Sequence, residues 1–133
     1  MIQASIAIVQ LKKVEWMRQQ RCSIALRYKE IFRGTDVKVL TIPDDCETSW
    51  HLFVVKIPKR DQAIIILKEL GIGSSVHFIP IHRHSYYVNT YELSESDYSV
   101  ADKVFDQSLS LPIYPGLTMD QVENIAYHVK SLC

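Results

Sequence analysis

Between residues 3 and 32 the chain carries neither proline nor glycine, and Ala7, Leu11, Val14, Met17, Ile24, Tyr28 and Ile31 recur at spacings of three, four or seven. That period marks one face of a helix, so a single long helix is expected over 3–32. At 1.5 Å per residue it would run roughly 45 Å, more than a small globule is wide. Gly34 supplies a left-handed stop just past its end. A helix of this length either lies across its own domain's sheet or reaches another domain, and both readings stay open at this stage. The pairs Lys12-Lys13 and Lys29-Glu30 read as its solvated face, and Cys22 as ordinary packing.

Beyond the helix the pattern changes. Residues 37–42 and 50–57 are rich in β-branched and aromatic side chains, with turn chemistry at Pro43-Asp44-Asp45, and predict two antiparallel strands. Residues 61–70 place Ala63, Ile66, Leu67 and Leu70 on one helical face, and Gly71-Ile72-Gly73 turns the chain toward a third strand at 74–78. Pro80 ends that strand, and residues 82–95 read as an irregular, polar and aromatic loop. A short helix begins near Asp97 with Val100, Ala101, Val104 and Phe105 facing in; residues 109–112 are a short extended piece and Pro115-Gly116 a turn. Thr118 and Gln121 have capping-box spacing ahead of a helix whose buried stripe is Val122, Ile125, Ala126 and Val129, with His128 at the surface. The expected fold class is α+β: a small, mainly antiparallel sheet covered by helices, with a long amino-terminal helix, in one domain spanning 1–133.

Fifteen basic side chains balance fifteen acidic ones, so no net field favours nucleic acid or an anionic membrane, and neither is expected as a partner. With 47% apolar and 23% charged residues the composition is that of a folding chain. Cys22, Cys46 and Cys133 are widely spaced with no CxxC pair, which argues against a disulfide framework or zinc ribbon and for a reducing, cytoplasmic setting. No apolar run has the length of a membrane span. The GxSxG, GxxxxGK[ST] and GxGxxG signatures are all missing, and only four glycines are available to build a phosphate cradle.

Reactive side chains concentrate at residues 77–87, HFIPIHRHSYY. Three readings compete. The run could be a solvated loop with incidental histidines. His77, His82 and His84 could bind a metal, although no acidic or cysteine residue adjoins them in sequence to complete the set. The favoured reading is recognition of an anionic, ring-bearing ligand, with Arg83 and the imidazoles on phosphate oxygens and Tyr86 and Tyr87 against a sugar or base. His51, inside an apolar run, reads as a hydrogen-bonded structural residue of its strand.

Taken in order, Gln3-Ala4, VQLKK at 9–13, Arg27-Tyr28, WHLF at 50–53, GIG at 71–73, HFIPIH at 77–82 and SLPIYPGLT at 110–118 form a set. The set resembles the carboxy-terminal part of the DegT/StrS-type sugar aminotransferases, enzymes of fold type I that use pyridoxal phosphate (PLP) to make amino sugars on nucleotide-linked precursors. The resemblance covers essentially the whole chain. It implies an α+β unit packed against a larger PLP-binding domain, in an enzyme that is typically a dimer with active sites near the subunit boundary. It places His77, Pro80 and His82 beside the cleft that holds the nucleotide sugar, with Tyr86 and Tyr87 at an aromatic position just after; Ser85 stands where the family often has proline.

Transamination needs a lysine to hold PLP, an acid at the pyridine nitrogen and a phosphate cradle. In the family these belong to the larger domain, and this chain has neither the Ser-Phe segment before that lysine nor the Gly-Glu-Gly-Gly stretch after it. The expectation is therefore a non-catalytic fragment that contributes substrate binding and dimer packing to a parent serving amino-sugar biosynthesis for surface polysaccharide or related glycoconjugates. No catalytic residue, no metal and no PLP is assigned to the chain itself; its partner would be the missing PLP-binding domain. Met1-Ile2-Gln3 begins inside a helix, which suggests truncation, and the uncovered stripe of 3–31 should drive self-association. The alternatives are a stand-alone ligand-binding module and a histidine-ligated metal enzyme.

Overall fold

The computed structural model describes residues 2–133. The long amino-terminal helix is two helices, α1 (Ile2–Leu11) and α2 (Val14–Phe32). They part at Lys12–Lys13, where the Lys13 N–H bonds to the Gln10 carbonyl at 2.9 Å. That i→i−3 bond tightens the ladder locally with no proline or glycine to mark it in the sequence. The apolar stripe divides at the same place. Ile24, Ala25, Tyr28 and Phe32 on α2 are buried, whereas α1 buries none of its residues. Gly34 stops α2 with φ of 76°, a left-handed conformation that costs glycine little.

The sheet has three strands in the order β1 (Lys38–Val39), β2 (Phe53–Lys56), β3 (Ser108–Leu111), all antiparallel. The register pairs Val39 with Val55, Phe53 with Leu111 and Val55 with Leu109. Phe53, Val55, Leu109 and Leu111 are buried, and α2 and α6 (Met119–Ser131) cover them. Tyr28 ties these layers together: its ring stacks on Phe53 at 4.8 Å and on Phe32 at 5.9 Å, and its hydroxyl donates to the Pro112 carbonyl at 3.1 Å. Burying one such side chain is worth about 1.5–3 kcal/mol.

Two of the expected strands are shorter than their runs; ahead of β2, Trp50 takes a left-handed φ of 48° and leaves His51 in an exposed bend outside the strand. His51 is therefore not a structural residue of the strand. α3 (Arg60–Glu69) ends in Gly71 at φ 75°, with the Ile72 N–H reaching back to Leu67 O at 2.8 Å. The third strand does not form at 74–78: only Ser75 pairs, with Ser110. Its place beside β2 is taken by β3, the segment the sequence showed only as a short extended piece, so the expected strand–helix–strand order is corrected.

Residues 82–95 are also more regular than a loop. Pro80 opens a 3-10 turn, Ile81–Arg83, closed by Arg83 N–H to Pro80 O at 2.9 Å and His84 N–H to Ile81 O at 3.0 Å. α4 (Ser85–Tyr91) follows, then a second 3-10 turn (Glu95–Tyr98) and α5 (Ser99–Gln107). α5 keeps its predicted period but buries none of its residues; Val100 is 77% exposed. The stripe of α5 looks onto an open cleft, since the neighbouring strands are too short to extend beneath it. The capping box of α6 forms as expected, with Thr118 Oγ1 accepting from Gln121 N–H at 3.3 Å and Gln121 Oε1 accepting from Thr118 N–H at 3.0 Å. His128 is half-buried, and Cys22 packs against the core. Among the described residues no helix is long and apolar enough to cross a membrane.

Candidate functional site

The segment leaving Ser75 carries the reactive side chains away from the outer edge of β3, where Ser75 pairs with Ser110. His77 sits at the surface with Nδ1 2.8 Å from Oγ of the buried Ser110, which fixes its ring against the sheet. Phe78 takes a φ of 61° and is 84% exposed. A bulky residue in the left-handed region is strained, and such strain gathers at functional positions. Its ring meets His77 edge-on at 5.9 Å.

After Pro80 the side chains turn inward. His82 is only 5% exposed; its Nε2 lies 2.9 Å from Asp102 Oδ1 on α5, and its ring stacks on Tyr98 at 4.6 Å. An ionised carboxylate only accepts, so Nε2 carries the proton of that bond. Arg83 donates from Nε to the same Asp102 oxygen at 2.5 Å and from Nη1 to Asp106 at 3.3 Å, with its guanidinium 5.0 Å from the Phe105 ring. Arg60 lies 4.9 Å from the same ring. Burial pushes the Asp102 carboxyl up, but the hydrogen bonds from His82 and Arg83 and the charges behind them outweigh it and hold the group below its ordinary range.

His84 donates to the Ile79 carbonyl at 3.2 Å, and Tyr86 and Tyr87 stand exposed on α4, edge to face at 5.3 Å, with Tyr87 stacked on Tyr91 at 6.2 Å. A cleft of about 580 Å³ opens between this segment and α5, lined by His77, Phe78, Pro80, Tyr98, Val104 and Phe105. A shallower hollow of about 310 Å³ lies on the other side of His77, between His51, Ser74 and Ser110.

The structure thus brings His77, Phe78 and Pro80 to one cleft, buries His82, half-buries Arg83, and leaves Tyr86 and Tyr87 exposed on α4 outside the cleft lining. Sequence reasoning missed Asp102, Asp106 and Tyr98, because their tie to His82 and Arg83 is made in space across about twenty residues of chain. The spacing of Asp102 and Asp106 on one helical face was the available signal. The three imidazoles enter three separate hydrogen bonds, to Ser110, Asp102 and Ile79. Among the described residues no group of three or more His, Cys, Asp or Glu is placed to hold a metal.

The donor set also fails to fit PLP. No lysine lines either cavity beside His77, and the lysines are exposed except Lys29, which is half-buried over the Trp50 ring at 4.7 Å. A Schiff-base lysine requires desolvation or a cationic neighbour to be nucleophilic. Both arginines beside the cleft wall are already engaged by carboxylates, Arg83 by Asp102 and Asp106 and Arg60 by Asp61.

A short antiparallel sheet backed by helices, with a cleft along α5, makes this an α+β fold. Residues 1–130 match the sequence pattern of the DegT/DnrJ/EryC1/StrS aminotransferase family, and the chain belongs to that family. It is 40% identical over 98% of its length to an uncharacterized Methanocaldococcus jannaschii protein, MJ1066, covering 36% of that protein. It is 35% identical over 98% of its length to the spore coat polysaccharide biosynthesis protein SpsC of Bacillus subtilis, covering 36% of it. A dTDP-3-amino-3,6-dideoxy-alpha-D-galactopyranose transaminase of Aneurinibacillus thermoaerophilus is 29% identical over 97% of the chain and 35% of the transaminase.

Among solved structures, Helicobacter pylori PseC, an aminotransferase involved in the biosynthesis of pseudoaminic acid, superposes with a TM-score of 0.89 at 26% identity, over 98% of this chain and 36% of PseC. Streptococcus pneumoniae Spr1654, solved in its PLP-form, gives 0.90 at 27% identity, over 97% of this chain and 34% of Spr1654. The chain spans about a third of the length of these relatives.

Proposed function

We propose that residues 1–133 form the single small domain of a PLP-dependent nucleotide-sugar aminotransferase, and that the 77–87 segment is its contribution to the substrate cleft. Family membership together with coverage of only a third of each relative supports the fragment reading. The observation that carries the site is the 580 Å³ cleft walled by His77, Phe78 and Pro80 on one side and α5 on the other.

In this reading His77 presents its free imidazole nitrogen to a polar group of the ligand, Pro80 shapes the wall, and Tyr86 and Tyr87 face a sugar or base. His82 and Arg83 act from behind, as the groups that hold the wall. PLP, bound on the remainder of the parent, supplies the amino-transfer chemistry; nothing in this chain anchors it, so the domain alone does not transaminate. The exposed apolar side chains of α1, Ile2, Ile6, Val9 and Leu11 among them, are then surface that the rest of the parent or a second subunit covers. The three cysteines are free, which suits a reducing cytoplasmic compartment.

The test is an NMR titration of the chain with a dTDP-sugar. Shifts confined to residues 77–91 and α5 are expected; shifts absent there at millimolar ligand would contradict a substrate-facing wall.

A further inference from the structure

α5 forms one whole side of the cleft although none of its residues is buried. Apolar packing of the kind that seats α2 and α6 does not hold it. A polar cluster does. Asp102 Oδ1 accepts from both His82 Nε2 at 2.9 Å and Arg83 Nε at 2.5 Å, and Asp106, one turn on, accepts from Arg83 Nη1 at 3.3 Å. Tyr98, from the turn before α5, closes over the His82 ring with the two planes 15° apart. Phe105 carries Arg83 and Arg60, tying the cluster to α3.

We propose that Asp102 is the positioning residue of the cleft: through one carboxylate oxygen it clamps the turn Ile81–Arg83 to α5 and so sets the distance between the 77–80 wall and the helix opposite. Two donors from consecutive residues meet on one acceptor, so removing that acceptor frees both at once and leaves a buried imidazole N–H without a partner, the costly case for a polar group. The side chains with freedom to follow are those flanking the clamp, His77 and Phe78 before it and Tyr86 and Tyr87 after it. Asp106 is half exposed and reaches only Arg83, so it does not substitute. This inference rests on reading 77–87 as the cleft wall, but the clamp itself is measurable without any ligand.

The experiment compares the chain with its Asp102→Ala and Asp106→Ala variants by amide hydrogen exchange and by the ring-proton signals of His82. In the native chain the stacked Tyr98 ring should displace those signals upfield. Asp102→Ala should abolish the displacement and raise exchange across 77–91 and α5 by about tenfold, with the amides of α2 and α6 changed less than about twofold. Asp106→Ala should leave the His82 signals in place.

The acid profile supplies a second readout. The groups facing Asp102 are His82 and Arg83 from the turn, Asp106 from α5 itself and Tyr98 from the preceding turn, with Arg60 beyond Phe105. A carboxyl held below its ordinary range contributes order above that range and loses it as pH falls through its own lowered value. Exchange in 77–91, corrected for its intrinsic rate, should therefore rise on acidification in the native chain and stay flat in Asp102→Ala. Unchanged His82 signals and exchange in Asp102→Ala would overturn the proposal. Should that variant not fold, the native acid profile decides: loosening of 77–91 while α2 and α6 stay protected supports the clamp, and loss only with global unfolding refutes it. Failure of dTDP-sugar binding would count against the cleft reading and leave this result untouched.

Discussion

Tyr28 joins three parts of the molecule at one side chain, since its ring packs on Phe53 and Phe32 and its hydroxyl reaches the carbonyl that follows β3. Tyr28→Phe keeps the ring contacts and removes one hydrogen bond, so a loss of about 0.5–1.5 kcal/mol is expected by urea denaturation. Burial, with the neighbouring Tyr114 adding to it, pushes the phenol above its ordinary value of 10.0. The sign follows: the unfolded chain releases this proton first, so Tyr28 contributes stability that is intact below about pH 10 and declines as pH rises beyond it. The alkaline decline should be shallower in Tyr28→Phe, and equal slopes in the two proteins would contradict the assignment.

At the same scale, which residues could be read in advance followed from how local their chemistry is. The cluster at 77–87 was visible in the sequence, and His77 and Pro80 line the cleft, but Arg83, whose charge suggested a phosphate partner, has its guanidinium turned onto Asp102 and Asp106. A side chain's type shows what it can bind, and only the fold shows what it already has bound.

Among the elements, α6 was legible because its signals are all short-range: a capping box, one stripe and no competing period. Thr118→Ala removes the cap and should cost about 1 kcal/mol, read as a lowered denaturation midpoint with unchanged slope. Unaltered stability would mean that tertiary packing alone holds the helix start. The strand expected at 74–78 failed for the opposite reason. Its composition suits a strand, but pairing is a long-range choice, and β3 with its register to β2 occupies the position.

The break in the long helix belongs here too. A helical period is blind to a single i→i−3 bond, and α1 has the period of α2 without its core. In dilute solution, where the chain is a monomer, amides of α1 should therefore exchange at rates near those of an unprotected helix while those of Ile24 to Phe32 persist with the global stability. Equal protection along both helices would show that α1 is covered in solution.

For the whole molecule, the relevant fact is uncovered surface. α1 is apolar without a charged residue, and Ile2, Ile6, Ile8, Val9 and Leu11 are exposed together with Val14 and Trp16 at the start of α2. A helix that is apolar around its circumference is one that is buried somewhere. Sedimentation should show mass rising with concentration, and Ile6→Asp with Val9→Asp should suppress it; a strictly monomeric native chain at high concentration would count against the fragment reading. Overall class was legible from element order, because α+β needs only the correct kinds of element, whereas the strand order needed the pairing itself.

The central claim is that this chain furnishes a wall of a PLP enzyme's cleft without the means to hold the cofactor. It is tested most directly by incubating the purified chain with PLP, reducing with borohydride and mapping the lysines modified. The account predicts slow, scattered modification of exposed lysines with no site approaching one equivalent. A stoichiometric adduct on one lysine, with an absorbance band to match, would mean that these residues build a cofactor site of their own.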